Sequence, residues 1–193
     1  MHGPQAGPAD CPLSTMDFKT VIAALLKRFA EQRIRYGLMG GFALGLWGVT
    51  RATIDLDFLV NRDDMEKVGQ IMGELGYERK YTSDNVSQFV SAEKLFGEVD
   101  FLHAFRQASI GMLERAVERE IFGGEARIKV LRPEDLIGLK LQAIKNNPSR
   151  KEGDMMDIKA LVAVQKGRLD WQMIKRYTEI LTAEDLLGEF HEE

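Results

Sequence analysis

Gly40-Gly41-Phe42-Ala43-Leu44, followed after a short gap by Thr50-Arg51-Ala52-Thr53-Ile54-Asp55-Leu56-Asp57, is the stretch on which the fold of this chain turns. Tyr36 to Met39, just before it, reads as a short strand running into the glycine pair. The small apolar residues from Phe42 to Val49 read as a tightly packed helix. Two glycines at a strand-to-helix junction leave backbone N–H groups open to a phosphate, with no Cβ in the way. Ile54 to Val60 reads as the next strand. Residues two apart on a strand share a face, so Asp55 and Asp57 project together while Leu56 and Phe58 point away. Paired carboxylates repel each other and resist burial. A divalent cation turns that repulsion into affinity, because Mg²⁺ takes one or two carboxylates together with phosphate oxygens. The plainer alternative is a solvated edge strand with its acids facing water.

Further along, Gly97-Glu98-Val99-Asp100-Phe101-Leu102 repeats the pattern, with Glu98 and Asp100 on one face and Val99 and Phe101 on the other. If this strand neighbours the first, Asp100 joins Asp55 and Asp57. Three carboxylates from two strands form a two-metal site, one metal holding a triphosphate and the other activating an attacking hydroxyl. Arg51, just before the acidic strand, is placed to reach a phosphate or to pair with a carboxylate. Lys140 lies among Leu136, Ile137, Leu139, Leu141 and Ile144, so it either snorkels to water or is held by an acid. Asp154 and Asp157 are the obvious acids. His103, at the end of the Asp100 strand, reads as a base or as a structural side chain.

Around these motifs the periodicity predicts a helix from Met16 to Gln32 and, capped by Asn61, another from about Arg62 to Leu75. Strands are predicted at Tyr77 to Tyr81, Gln88 to Ala92, Glu98 to His103 and Ala126 to Leu131, with a helix from Ser109 to Val117. Pro133 opens a helix that Asn146-Asn147-Pro148 stops. Helices follow at Glu152 to Gln165, Trp171 to Leu181 and Ala183 to Phe190, the last with Thr182 and Asp185 as a capping box. Strands and helices mix up to residue 131 and helices take over afterwards. The expected fold is therefore α+β (mixed α/β), with a core at 16–131 and a C-terminal helical part at 132–193. No Gly/Ser-rich linker separates them, so the helices are expected to pack on the sheet and wall one side of a cleft.

The 193 residues, 45% hydrophobic, are enough to bury a core without a disulfide or structural zinc, and the single cysteine, Cys11, excludes both an internal disulfide framework and a cysteine zinc finger. No run of about 18 apolar residues suggests a membrane span. The net charge of -4 argues against a general nucleic-acid coat and leaves room for a local basic patch. Residues 1–15 hold three of the five prolines and read as a disordered tail, not as a secretory signal; the cytoplasm is the expected compartment.

The order Gly40-Gly41, then Arg51-Ala52-Thr53-Ile54-Asp55-Leu56-Asp57, then a strand with Asp100, resembles the signature of the DNA polymerase β-like nucleotidyltransferase superfamily. The wording is closest to the branch of AbiEii-type toxins and related minimal nucleotidyltransferases. Arg132-Pro133-Glu134-Asp135-Leu136, Lys140, Arg150-Lys151, Asp154 and Asp157-Ile158 look like that branch's helical motif. The resemblance spans about residues 36 to 165. It implies a small mixed sheet with Asp55 and Asp57 on one strand and Asp100 on its neighbour. It also implies Gly40 and Gly41 cradling nucleotide phosphates, helped by Arg51 and Lys140, and Mg²⁺ or Mn²⁺ on Asp55, Asp57 and Asp100. Asp100 would take the proton of the attacking hydroxyl. Two departures stand out: Phe42 occupies the place where many members carry serine, and Glu98 adds an acid to the third-carboxylate strand.

The expected activity is transfer of a nucleoside monophosphate from a nucleoside triphosphate to an acceptor hydroxyl on a tRNA, a protein or a small molecule, in a toxin–antitoxin or resistance setting. The rival is a non-catalytic protein of the same fold that works as one half of a toxin–antitoxin pair. The complete carboxylate set speaks against it, because lost activity usually leaves a gap there.

Overall fold

A computed structural model of the protein describes residues 18–53, 55–91 and 97–191. The expected tail at 1–15, Ile54 and Ala92 fall outside them. Helix α1 (Phe18–Gln32) leads into β1 (Tyr36–Met39), α2 (Gly40–Leu46) and β2 (Leu56–Asn61). Then come α3 (Met65–Glu74), β3 (Tyr77–Thr82), β4 (Val86–Ser91) and β5 (Glu98–Ala104). The mixed part closes with α4 (Gln107–Arg115), β6 (Val117–Ile121) and β7 (Ala126–Val130). Helices α5 (Pro133–Asn146), α6 (Lys151–Val164), α7 (Trp171–Leu181) and α8 (Glu184–Leu187) complete the chain.

The strands form one seven-stranded mixed sheet in the order β3-β4-β5-β2-β1-β7-β6. Its centre is the parallel pair β2·β5, with Leu56 opposite Val99, Asp57 opposite Asp100 and Phe58 opposite Phe101. One face is aromatic. Phe29 of α1 meets Tyr36 at 5.0 Å and Phe58 at 5.8 Å, while Phe101 lies 5.7 Å from both Phe58 and Phe89. The helical spacing of Val21, Ile22, Leu25 and Phe29 buries one side of α1 there, and α3 packs beside it. The register puts Gln88, Asp100, Asp57 and Met39 in one row across the other face.

The helical half is tied to this core by specific bonds. Gln165 Nε2 of the helical half donates to the Trp47 carbonyl of the core at 2.8 Å, and Trp47 Nε1 donates within the core to the Leu131 carbonyl at 2.8 Å. Asp135 of α5 accepts from Arg115 of the core at 2.8 Å and from Tyr177 of α7 at 2.6 Å. Proline at its first turn starts α5, and the Asp170 side chain caps α7 by accepting from the Met173 N–H. No helix among the described residues is long and apolar enough to cross a membrane.

Four sequence expectations are corrected. The helix after β5 starts at Gln107 and ends at Arg115, and Val117 opens a strand, β6, that was expected to be helix and loop. Ala116 turns the chain with φ -55°, ψ 138°, which no helix tolerates. Thr182 does not cap the last helix: at φ 50° it terminates α7 in the left-handed region, and Ala183 precedes α8 with no side-chain cap. Helix α8 itself stops at Leu187, short of Phe190. Asp55 precedes β2 instead of lying within it. Asn61 behaves as read, though its side chain caps a short 3-10 turn at Arg62–Asp64 that leads into α3.

Candidate active site

The acidic row is built by register. Asp57 on β2 and Asp100 on β5 are direct neighbours across a parallel pair, so their side chains share a face. Asp55 lies two residues before Asp57, and the Thr53 hydroxyl donates to its carbonyl at 3.2 Å. Gly40 begins α2 at φ +68°, a left-handed conformation that suits glycine. A Cβ there would overlap the Asp57 carboxylate, and a Cβ on Gly41 would sit 2.8 Å from Thr53 Oγ1. The glycine pair therefore lies against the acidic strand, which is a reason for glycine separate from phosphate access. Gly40→Ala is expected to cost about 2–4 kcal/mol, from the left-handed backbone and the displaced carboxylate together. A melting curve within 2 °C or so of wild type would remove this reading.

Electrostatics follow from crowding. Burial first, then the charges of Asp100 and Asp55, push the Asp57 carboxyl up to about 6; Lys140 and Arg51 pull the other way. Burial and Glu98 raise Asp55. Burial raises Asp100 as well, opposed by a hydrogen bond from Gln88 and reinforced by Glu98 and Asp55. Gln88 Nε2 donates to Asp100 Oδ2 at 3.1 Å, while Asp100 Oδ1 is buried with no hydrogen-bond partner. Glu98 is paired at the rim with Lys80, 2.9 Å away. Among the described residues no three His, Cys, Asp or Glu side chains are gathered closely enough to hold a metal ion unaided.

Facing this row is a cationic wall. Arg51 and Lys140 both donate to Asp157 Oδ2, the lysine at 2.6 Å. Lys140 also reaches Asp154 Oδ1 at 2.9 Å, and Arg150 Nε holds Asp154 Oδ2 at 2.9 Å. Burial works to raise Asp154, but the bonds from Arg150 and Lys140 outweigh it and hold its carboxyl below the usual range. Lys140 is thus an internal ion-pair partner with 13% of its side chain exposed, whereas Arg51 is 45% exposed. His103 is elsewhere. It lies on the aromatic face, with Nε2 3.0 Å from Ser87 Oγ and Nδ1 3.1 Å from the Asp84 carbonyl, and burial lowers its pKa.

The structure thus brings Gly40, Asp57 and Asp100 together, sets Asp55 beside them, and puts Arg51 and Lys140 close enough for their charges to act on Asp57. Sequence reading missed Gln88, Lys80 and Thr53. Only Thr53 carried a local signal, two residues before Asp55; the other two owe their place to pairing of β3, β4 and β5.

The seven-stranded mixed sheet with flanking helices is the architecture of nucleotidyltransferase-like folds. The chain belongs to the family described as uncharacterised nucleotidyltransferases, whose sequence model matches residues 16–190. It is an enzyme of that class. Its fold is similar to that of the antibiotic-resistance factor ANT(2'')-Ia, with TM-score 0.63 and 15% identity over 89% of this chain and 97% of that one. ANT(2'')-Ia has also been crystallised with adenylyl-2''-tobramycin. The lincomycin-bound lincosamide antibiotic adenylyltransferase LnuA superposes with TM-score 0.53 at 15% identity, covering 78% of this chain and 99% of its own. An antigenic nucleotidyltransferase-like protein from Paracoccidioides brasiliensis gives TM-score 0.54 and 20% identity, with 89% and 91% covered. Among curated protein sequences none matches.

Proposed function

We propose that the chain moves a nucleoside monophosphate from a nucleoside triphosphate to an acceptor hydroxyl at the face carrying Asp57 and Asp100. The observation that carries this reading is the in-register pair itself: two crowded carboxylates, one with a buried oxygen that bonds to nothing. Such an arrangement is costly unless a cation and a substrate complete it.

The donor set fits a divalent cation, Mg²⁺ or Mn²⁺. Asp57 and Asp100, in register, would hold it with Asp55 beside them, and triphosphate oxygens would supply the ligands that no gathered set of three side chains provides. When bound, the ion would neutralise charge on the phosphates and the attacking oxygen. The chain does the rest by positioning and electrostatics. Gly40 and Gly41 let the phosphates approach the start of α2. Arg51, with Lys140 behind it, offsets the charge that builds on the departing pyrophosphate. As the acceptor oxygen bonds to the α-phosphorus, the bond from that phosphorus to the pyrophosphate oxygen breaks, and the Asp100 carboxylate takes the acceptor's proton.

The order of motifs also supports the narrower likeness to AbiEii-type enzymes, and with it a toxin–antitoxin role with an antitoxin as protein partner. The antibiotic-modifying fold neighbours support a resistance role. Each triphosphate, labelled at the α-phosphate, should be incubated with Mg²⁺ or Mn²⁺ and a panel of tRNA, lysate protein and hydroxylated antibiotics. Label should move to one acceptor class and stop moving when a chelator is added. Absence of transfer with all four triphosphates and every acceptor would overturn the proposal.

A further inference from the structure

We infer that Gln88 is a positioning residue for this reaction, aiming the Asp100 carboxylate; the inference rests on the functional reading above. Gln88, Asp100 and Asp57 are cross-strand neighbours in one row over β4, β5 and β2, so the three side chains leave the sheet on the same side. The Gln88 amide donates to Oδ2 of Asp100 and leaves Oδ1 buried and unpartnered. A carboxylate fixed by one oxygen cannot turn freely about its last bond, and the second oxygen keeps one direction.

The chemistry of the partner matters as much as its place. An ammonium or guanidinium at position 88 would neutralise Asp100 and compete with a cation for it. A carboxylate would add a fourth acid to a crowded row. A neutral amide donates one hydrogen bond and adds no charge, so it orients Asp100 without pairing its charge. Lys80, whose charge acts on Asp100, is engaged by Glu98 at 2.9 Å instead. Among the described residues, Gln88 is the one whose hydrogen bond to the Asp100 side chain defines its direction. Gln88 acts on the reacting atoms through Asp100, to whose Oδ2 its Nε2 donates.

Two variants test this. Gln88→Met keeps length and bulk without the donor; Gln88→Glu keeps shape and replaces the donor with an acceptor. The expected result for both is a fall in kcat of about tenfold or more, with the KM for triphosphate within about threefold of wild type. A merely structural glutamine would lower the active fraction, and so kcat at unchanged KM, but would leave the metal affinity of the folded molecules unchanged. Mn²⁺ binding to the full chain, followed by titration calorimetry, gives a readout independent of turnover: Gln88→Met should bind about threefold or more weakly. A kcat within twofold for both variants, or loss of kcat matched by an equal rise in KM, overturns the inference. Should the wild type transfer no nucleotide yet bind Mn²⁺, the functional reading falls while the calorimetry still decides the role of Gln88, and unchanged Mn²⁺ affinity overturns it. A chain that neither transfers nor binds Mn²⁺ overturns both.

Discussion

Asp57→Asn is expected to reduce nucleotide transfer by about a thousandfold or more while raising the melting temperature of the metal-free protein at neutral pH. The two effects have one cause. Asp57 lies in register with Asp100 and beside Asp55, and burial together with those charges pushes its carboxyl from 3.8 to about 6. A carboxyl whose folded pKa is raised favours folding fully below about pH 3.8 and loses that contribution as pH rises through 6. Above pH 7 the ionised form therefore costs the folded chain up to about 3 kcal/mol. Asparagine keeps the size and removes the charge, so at pH 7.5 the variant should melt higher by several degrees. The gap should close as pH falls towards 4. Adding Mg²⁺ and triphosphate should stabilise the wild type and leave the variant unmoved. Thermal melts at the two pH values, with and without these ligands, check the prediction together with the transfer assay. A variant that melts lower at pH 7.5 and retains activity would show that Asp57 serves the fold.

Asp135→Ala should cause the largest loss of stability. Asp135 is completely buried in the first turn of α5, and its Oδ1 accepts from both Arg115 and Tyr177. Those two partners also bond to each other at 2.9 Å. The three residues come from α4, α5 and α7, so this one carboxylate joins the sheet-bearing core to the helical half. Removing one member of a buried ionic cluster leaves a charge uncompensated and costs about 3–5 kcal/mol. Asp135 Oδ2 is buried without a partner, which already diminishes the cluster's net worth and favours the lower end of that range. The melting temperature should drop by roughly 6–20 °C. Tyr177→Phe, which keeps the ring and removes one hydrogen bond, should lose about 1–2 kcal/mol. If Asp135→Ala melts with the wild type, this cluster contributes nothing to holding the helical half on the core.

What could be read from the sequence was whatever depends on near neighbours in the chain. The strand, glycine pair and helix at 36–46, the proline start of α5 and the acidic spacing at 55, 57 and 100 are local patterns, and each element formed close to where the pattern put it. Strand β6 escaped because Val117-Glu118-Arg119-Glu120-Ile121 is short and charge-rich, and the apolar spacing of α4 runs into it without a break. Thr182 and Asp185 had the spacing of a cap, but the backbone needed a left-handed residue there to end α7. The site was half legible. Its acids and its lysine stood out, whereas Gln88 and Lys80 gained their positions from the register between the consecutive strands β3, β4 and β5, which no pattern within a single strand encodes.

The two strands that border the sheet have a consequence for how copies of the chain meet. Strand β3 exposes Glu78, Arg79 and Lys80 and shifts register between Arg79 and Tyr81. At the far border, β6 exposes Glu118 and Glu120. A second copy laid antiparallel on β6 about Arg119 would set Glu118 against Glu120 twice, and like charges directly opposite are unfavourable. Charge at one border, and charge with a broken register at the other, oppose sheet extension from molecule to molecule. Self-association by strand addition, the common route from an open mixed sheet to fibrous aggregates, is thereby discouraged at both ends.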